Sequence, residues 1–96
     1  MRIVLTQAAE EDLAAIYTYH AERSGKTAGQ VVGTILRAIN ALAVFPLLGR
    51  PGLVTETRER IVSRYGHRII YHINEANEVI EIWRVLHGAQ RWPPTE

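Results

Sequence analysis

The sequence predicts an α+β domain in which a helical hairpin packs on one face of a small, mostly antiparallel sheet, in the order β-α-α-β-β-β. Two runs rich in β-branched and aromatic residues flank a short polar segment near the C-terminus, as in a β-hairpin. Two segments in the first half of the chain repeat apolar residues at three- and four-residue intervals, which is typical of amphipathic helices. The 96 residues suffice for one core, so we expect a single domain, 1–96.

The first strand and the first helix follow from the N-terminal residues. The β-branched run from Arg2 to Leu5 predicts a strand at the edge or centre of the sheet. Thr6 is positioned to cap a helix that begins at Gln7, and acidic residues near that end complement the helix dipole. The helix is predicted to end at Ser24-Gly25, with Gly25 in a left-handed conformation. Its apolar stripe consists of Ala9, Leu13, Ile16, Tyr17 and His20.

The second helix is predicted to begin at a capping box in which Thr27 is the N-cap and Gln30 reaches back. The proline at position 46 limits its end to about Phe45. The short link between the helices requires an antiparallel pair, and Gly29 and Gly33 suggest a close helix crossing. The predicted core stripe is Val31, Ile35, Leu36, Ile39 and Leu42.

Residues 45–52 contain two prolines and two glycines and are predicted to connect the helices to the sheet. A further strand is predicted from Glu59 to Tyr65. The C-terminal hairpin then extends over Tyr65 to Trp92, with a reversal at residues 74–77.

Alternation predicts which hairpin side chains share a face. On the first strand, Ile69, Tyr71 and Ile73 oppose Arg68, Ile70 and His72. On the second, Ile80, Ile82, Arg84 and Leu86 oppose Val79, Glu81, Trp83, Val85 and His87. Both faces are therefore partly apolar. Since the helices cover only one face, the other is expected to remain open for a partner.

Composition restricts the function classes. The chain has no cysteine, which is compatible with a reducing cytosol, and we expect a cytoplasmic protein. No segment approaches the roughly 20 apolar residues of a membrane span, so no membrane association is expected. The net charge of +1 is too small to indicate nucleic-acid binding, and Lys26 is the only lysine among 11 basic residues. No histidines share a carboxylate at metal-ligand spacing, and no metal or other cofactor is expected.

Four segments together resemble the RelE/ParE superfamily of toxins from bacterial type II toxin–antitoxin modules. They are Ala9-x-x-Asp12-Leu13-x-x-Ile16-x-x-Tyr19, Leu42-x-x-Phe45-Pro46-x-x-Gly49-Arg50-Pro51, Tyr65-x-x-Arg68-Ile69-x-Tyr71-x-Ile73 and Val85-x-His87-Gly88-Ala89-x-Arg91. The resemblance extends from about Ile3 to Trp92. It implies the fold predicted above and an antitoxin that wraps a C-terminal segment over the toxin.

The resemblance leaves two activities open, because one branch of the superfamily cleaves messenger RNA on the ribosome and the ParE branch inhibits DNA gyrase. The ribonuclease branch would use Arg68, His87 and Arg84 as catalytic residues. Gly88 stands where His-Tyr members have an aromatic residue, and the lysine-rich element of the RelE type is missing. The connection and the C-terminal ending look more like the ParE branch. We therefore favour a toxin that inhibits gyrase by binding, without catalysis of its own, over a ribosome-dependent endoribonuclease. A toxin fold that has lost its activity is a third hypothesis.

The ParE hypothesis assigns recognition roles to two sets of residues. Contact with the target is assigned to Arg91, Trp92 and His87. Contact with the antitoxin is assigned to Arg60, Arg68, Ile70, Trp83 and Arg84. Structural roles compete with these assignments. A tryptophan at the position of Trp83 is more commonly part of a core, and a histidine that ends a strand, as His87 does, is more commonly a hydrogen-bonded structural residue. Arg68 is equally suited to an ion pair with Glu81 across the hairpin.

Overall fold

A five-stranded mixed sheet carries two helices on one face, which confirms the predicted class. The computed structural model describes residues 1–62, 64–88 and 90–94. Its elements are β1 (Arg2–Leu5), α1 (Gln7–Ala21), α2 (Gly25–Val44), a 3₁₀ turn (Pro46–Leu48), β2 (Arg50–Pro51), β3 (Thr57–Val62), β4 (His67–Asn74) and β5 (Val79–His87). The strand order is β1-β5-β4-β3-β2, in which β1 runs parallel to β5 and the other neighbours are antiparallel.

The core lies between α2 and the β4–β5 hairpin. The predicted stripe of α2 is buried except at Leu36, which faces solvent. It packs in one cluster with alternate residues of the hairpin, among them Ile69, Tyr71, Ile80 and Ile82, all fully buried. Burial of each such side chain stabilises the fold by about 1.5–3 kcal/mol. Ala9, Leu13 and Ile16 of α1 pack against the same cluster, so both helices contribute to the core.

Helix α2 is, within the described part of the chain, the one helix long and apolar enough by length and composition to cross a membrane. The expectation that no segment has these properties was wrong. Its apolar side is instead buried against the sheet, as in the core helix of a globular domain. The predicted close crossing at Gly29 and Gly33 was also wrong: a Cβ on Gly29 would meet nothing within 4 Å, and one on Gly33 would meet only the side chain of Arg37.

The helix starts were predicted correctly for α1 and wrongly for α2. Thr6 caps α1 by accepting a hydrogen bond from the N–H of Ala9 at 3.1 Å. The N-cap of α2 is Ser24, whose Oγ accepts from the N–H of Thr27 at 3.3 Å. Gly25 is therefore the first residue of α2 and not a left-handed stop for α1. Both Ser24 and Thr27 suit an N-cap, and the extended backbone of Ser24 decides between them.

A register shift in the hairpin overturns the predicted alternation on β5. Ile69 pairs with Val85, but Tyr71 pairs with Ile82, so β5 has one extra residue at this point. Such a bulge reverses the faces of the residues beyond it. Val85 therefore joins the helix-side core with Ile80 and Ile82, although alternation placed it on the opposite face.

The third predicted strand is shifted, and β2 was not predicted. The strand β3 begins two residues before Glu59 and ends at Val62, three residues before Tyr65. Arg50 and Pro51 form a short edge strand paired with β3, although their proline and glycine neighbours predicted only a connection. Tyr71 holds this connection: its hydroxyl donates to the Pro46 carbonyl at 2.6 Å and accepts from the N–H of Gly49 at 2.9 Å.

Candidate functional site

Arg68 lies on the sheet face opposite the helices, where it holds the C-terminal tail. Its Nη1 donates to Glu59 Oε1 on β3 at 3.2 Å, and its Nη2 donates to the carbonyl of Gln90. Glu59 is only 4% exposed, so the ion pair is largely shielded from water. The predicted alternative pairing of Arg68 with Glu81 was wrong, because Arg68 stands opposite Leu86 and pairs with Glu59, whereas Glu81 stands opposite His72. Glu81 accepts hydrogen bonds from Asn74 and Trp83 instead.

Arg84, on β5, is bound by Asp12 in the N-terminal half of α1. Its Nε and Nη2 donate to Oδ2 and Oδ1 of Asp12 at 2.7 and 2.9 Å. The same carboxylate accepts from the N–H of Val85 at 2.8 Å, beyond the point where β1 ends its pairing with β5. Bonding to Asp12 raises the pKa of Arg84 and fixes its charge. Asp12 therefore satisfies a backbone N–H at the edge of β5 as well as the guanidinium of Arg84.

The three residues assigned to a ribonuclease site are not brought together. His67 is the strand partner of His87 and Arg68 is the partner of Leu86, so Arg68 and His87 lie on opposite faces of the sheet. Arg84 is bound to α1, whereas Arg68 reaches toward β3. No position on the described surface is flanked by all three side chains.

The residues assigned to antitoxin contact differ widely in accessibility. Ile70 is fully buried, Arg60 and Trp83 are half-buried, and Arg68 and Arg84 are half-buried within their ion pairs. The indole N–H of Trp83 donates to Glu81 at 3.1 Å. Hydrogen bonds from Asn74 and Trp83 lower the pKa of Glu81, so this carboxylate is ionised at neutral pH.

The tail was assigned to target recognition. The Arg91 side chain is exposed, whereas Trp92 is half-buried and its indole nitrogen is buried without a hydrogen-bond partner among the described residues. Ile70 and Leu86 are buried but lie outside the helix-side core. Arg68, on this same face, donates to the carbonyl of Gln90 and so anchors the tail. Among the described residues, the face that was expected to be open is therefore linked to the tail through Arg68.

A groove between α1 and the adjoining ends of β4 and β5, of about 570 Å³, was not recognised in the sequence. We call it the histidine groove, because His20, His67 and His87 line it together with Tyr19 and Tyr65. The histidines are separated by up to 67 positions in the chain, and only the strand register brings them together. Of these histidines, His67 is the most deeply buried and is only 3% exposed.

Burial is the main cause that lowers the pKa of His67, and nearby His20 and His87 lower it further. His67 is therefore neutral at pH 7, and its Nδ1 is buried with no partner among the described residues. Within residues 1–62, 64–88 and 90–94, no three side chains of His, Cys, Asp or Glu are grouped closely enough to hold a metal ion.

A second feature missed in the sequence is a set of exposed apolar side chains between the end of α2 and the loop that follows β2. We call it the apolar connection; it consists of Val44, Phe45, Leu47, Leu48 and Leu53. Leu53 is 81% exposed and Leu47 71%. The proline-rich sequence indicated a connection but gave no periodic pattern from which the exposure of these residues could be predicted. Several large apolar side chains exposed within one short segment are typical of sites of protein association.

The sequence has relatives. A family model for the ParE toxin of the type II toxin–antitoxin system parDE matches residues 3–92. The candidate toxin Y4kP of Sinorhizobium fredii (strain NBRC 101917 / NGR234) is 36% identical over 92 residues, which are 96% of this chain and 93% of that protein.

The fold has solved counterparts in toxin–antitoxin complexes. A chain of the chromosomal ParDE system from P. aeruginosa has a TM-score of 0.80 at 24% identity, covering 91% of this chain and 95% of that chain. RelBE2 from Mycobacterium tuberculosis has a TM-score of 0.67 at 20% identity, covering 90% and 95%. The intact RelBE complex of E. coli has a TM-score of 0.67 at 13% identity, covering 94% and 98%. At these identities the likeness shows a shared fold.

Proposed function

Because this chain belongs to the ParE toxin family of type II toxin–antitoxin systems, we propose that it inhibits DNA gyrase by binding to it and so blocks replication. In this proposal the toxin acts in the cytoplasm and carries out no covalent chemistry. Contact with gyrase is assigned to the tail, through Arg91 and Trp92, with His87 at its base. A cognate antitoxin neutralises the toxin.

The observation that supports this proposal most directly is the dispersal of Arg68, His87 and Arg84. Cleavage of RNA requires an acid or base and a cation at one scissile phosphate. Here Arg68 and His87 point to opposite faces of the hairpin, and Arg84 is held by Asp12. A toxin that acts by binding needs no such convergence. The geometry therefore favours the binding mechanism over the ribonuclease mechanism.

The exposed apolar side chains support a protein antitoxin as partner. The exposed side chains of the apolar connection are solvated poorly by water, and Trp83 remains partly accessible beside His72 on the sheet face that carries Arg68. Arg60, the strand partner of Ile69, lies instead on the helix-side face. The antitoxin was expected to cover the sheet face that carries Arg68, where the chain's own tail already lies. We propose that the antitoxin contacts the accessible residues of this face and displaces the tail to reach Ile70.

A supercoiling assay tests the proposal. Purified chain is added to gyrase, ATP and relaxed plasmid, and supercoiled, linear and enzyme-linked DNA are measured. We expect loss of supercoiling or accumulation of cleaved plasmid at stoichiometric doses, and recovery when the tail from His87 onward is replaced by a flexible linker. The linker variant should retain binding to the antitoxin, which shows that it is folded.

Unchanged supercoiling at excess toxin would contradict the proposal. Cleavage of messenger RNA on translating ribosomes would then be the activity to measure, with Arg68→Ala and His87→Ala as variants. Loss of that cleavage in both variants, each shown to be folded at the assay temperature by circular dichroism, would establish the ribonuclease mechanism in place of gyrase inhibition. Absence of growth arrest on expression without antitoxin would indicate a toxin that has lost its activity.

A further inference from the structure

A second cavity, of about 490 Å³, is lined by cations and by no carboxylate. We call it the basic cavity; Lys26, Arg37 and Arg64 line it, together with Gln30 and Thr34. The residues that α2 contributes to the basic cavity lie on one side of this helix and begin in its first turn, where the helix dipole favours an anion. Neither Arg37 nor Arg64 has an acidic partner among the described residues. A compact polyanion such as a phosphate chain suits this cavity.

The histidine groove has different chemistry. Its walls are aromatic and imidazole rings above an apolar floor that includes Ile16 and Val85. Its one lining carboxylate, Asp12, is already bound to Arg84 and to a backbone N–H. A planar ring can stack on such walls. The buried, unpartnered Nδ1 of His67 indicates that the polar groups of this wall are incompletely satisfied by the protein.

Tyr65 lines both cavities, and the guanidinium of Arg64 lies 5.4 Å from the centre of its ring. A site for an aromatic ring thus adjoins a site for phosphate, with a stacking side chain at the junction. We propose that these cavities form one binding site for a nucleoside phosphate, with the base in the histidine groove and the phosphates in the basic cavity. The ligand is either a free nucleotide or one nucleotide of a single strand.

This inference does not depend on gyrase inhibition. The site lies beside the helical hairpin and does not include Arg68. Binding is measured on the purified chain without gyrase, so its failure and the failure of the proposed function are distinguishable.

Calorimetric titration of the full chain with ATP, adenosine, sodium triphosphate and a short single-stranded oligodeoxyadenylate tests the proposal. The double variant Arg37→Gln/Arg64→Gln removes two exposed cations and should weaken ATP binding at least about tenfold, because each charge-assisted contact contributes substantially to binding. Tyr19→Leu, at a position that is 56% exposed, should weaken ATP about fivefold but leave triphosphate unchanged. Arg50→Gln, on the exposed edge strand β2, is the matched control and should bind ATP like the unmodified chain.

We expect ATP to bind at one site per chain and more tightly than adenosine or triphosphate by about tenfold each. An oligonucleotide that binds more tightly than ATP, with a steeper salt dependence, identifies a strand as the ligand; equal or weaker binding identifies the free nucleotide. Absence of saturable ATP binding up to about 10 mM overturns the proposal. Triphosphate binding as tight as ATP binding would also overturn the proposal, because it would show a site for the anion alone. The same holds if Arg50→Gln weakens ATP binding as much as Arg37→Gln/Arg64→Gln does.

Discussion

At the scale of single residues, Asp12 illustrates how a side chain acquires a role that its local sequence does not indicate. The sequence explains it as one of three acidic residues that favour the start of α1. In the fold it also accepts two bonds from Arg84 and one from the N–H of Val85. We expect Asp12→Asn to lower the free energy of unfolding by about 2 kcal/mol in urea denaturation, because the pair is mostly buried and the amide cannot satisfy all three donors.

Glu10→Gln is the matched control for this prediction, since Glu10 is exposed and lies in the same helical turn. Its effect should stay below about 0.5 kcal/mol. Equal effects of the two variants would mean that the helix dipole, and not the contact with β5, accounts for the contribution of Asp12.

His67 makes the stability of the fold depend on pH. Its pKa is lowered from 6.5 by burial and by His20 and His87, so the unfolded chain takes up a proton before the folded chain does. The contribution of His67 to stability is therefore fully present above its unfolded pKa of 6.5 and is lost as the pH falls from 6.5 through the lowered folded pKa. Urea denaturation at a series of pH values should show this decline, and His67→Gln should reduce its slope. The decline should persist in His72→Gln, on the opposite face; loss of slope there instead would contradict the assignment.

At the scale of elements, Ser24 and Thr27 provide a direct test of which residue begins α2. The structure predicts that Ser24→Ala costs about 1 kcal/mol, because the Ser24 hydroxyl accepts from the N–H of Thr27. Thr27→Ala should cost at most a few tenths of a kcal/mol, because Thr27 is inside the helix and alanine favours helix. Thermal and urea unfolding of the two variants measures the difference. A larger loss in Thr27→Ala would restore the capping box predicted from the sequence.

The elements that could be predicted from the sequence are those set by local periodicity and composition. The start of α1, the end of α2 near Phe45 and the reversal between β4 and β5 depend on neighbouring residues and were predicted to within a residue or two. The β5 bulge and the strand β2 depend on pairing with residues distant in the chain, which local patterns do not contain. One extra residue in β5 placed Val85 on the wrong face and hid the separation of Arg68 from His87.

At the scale of the whole molecule, the fold could be predicted from local patterns, whereas the candidate site depends on contacts between distant parts of the chain. The order of elements and the family resemblance, which extends over nearly the full chain, could both be recognised from the sequence without any tertiary contact. The histidine groove, by contrast, joins the end of α1, the turn before β4 and the end of β5. Its components are individually unremarkable histidines and tyrosines, so no local pattern marks them. The exposure of the apolar connection could not be predicted for a related reason, because it depends on how the rest of the chain packs around these side chains.

The proposed role of the tail in target recognition can be tested separately from its contribution to stability. Trp92 is half-buried beside a tail that Arg68 holds through Gln90, whereas Arg91 is exposed. We expect Trp92→Ala to lower the free energy of unfolding by about 1–2 kcal/mol, because aromatic area returns to water, and also to weaken gyrase inhibition. Arg91→Ala should leave unfolding unchanged and still weaken inhibition about tenfold if its guanidinium contacts the target. Urea denaturation and the supercoiling assay on both variants measure the two effects. Full inhibition by folded Arg91→Ala and Trp92→Ala would remove the tail from the target interface and leave it with the structural role of covering the sheet.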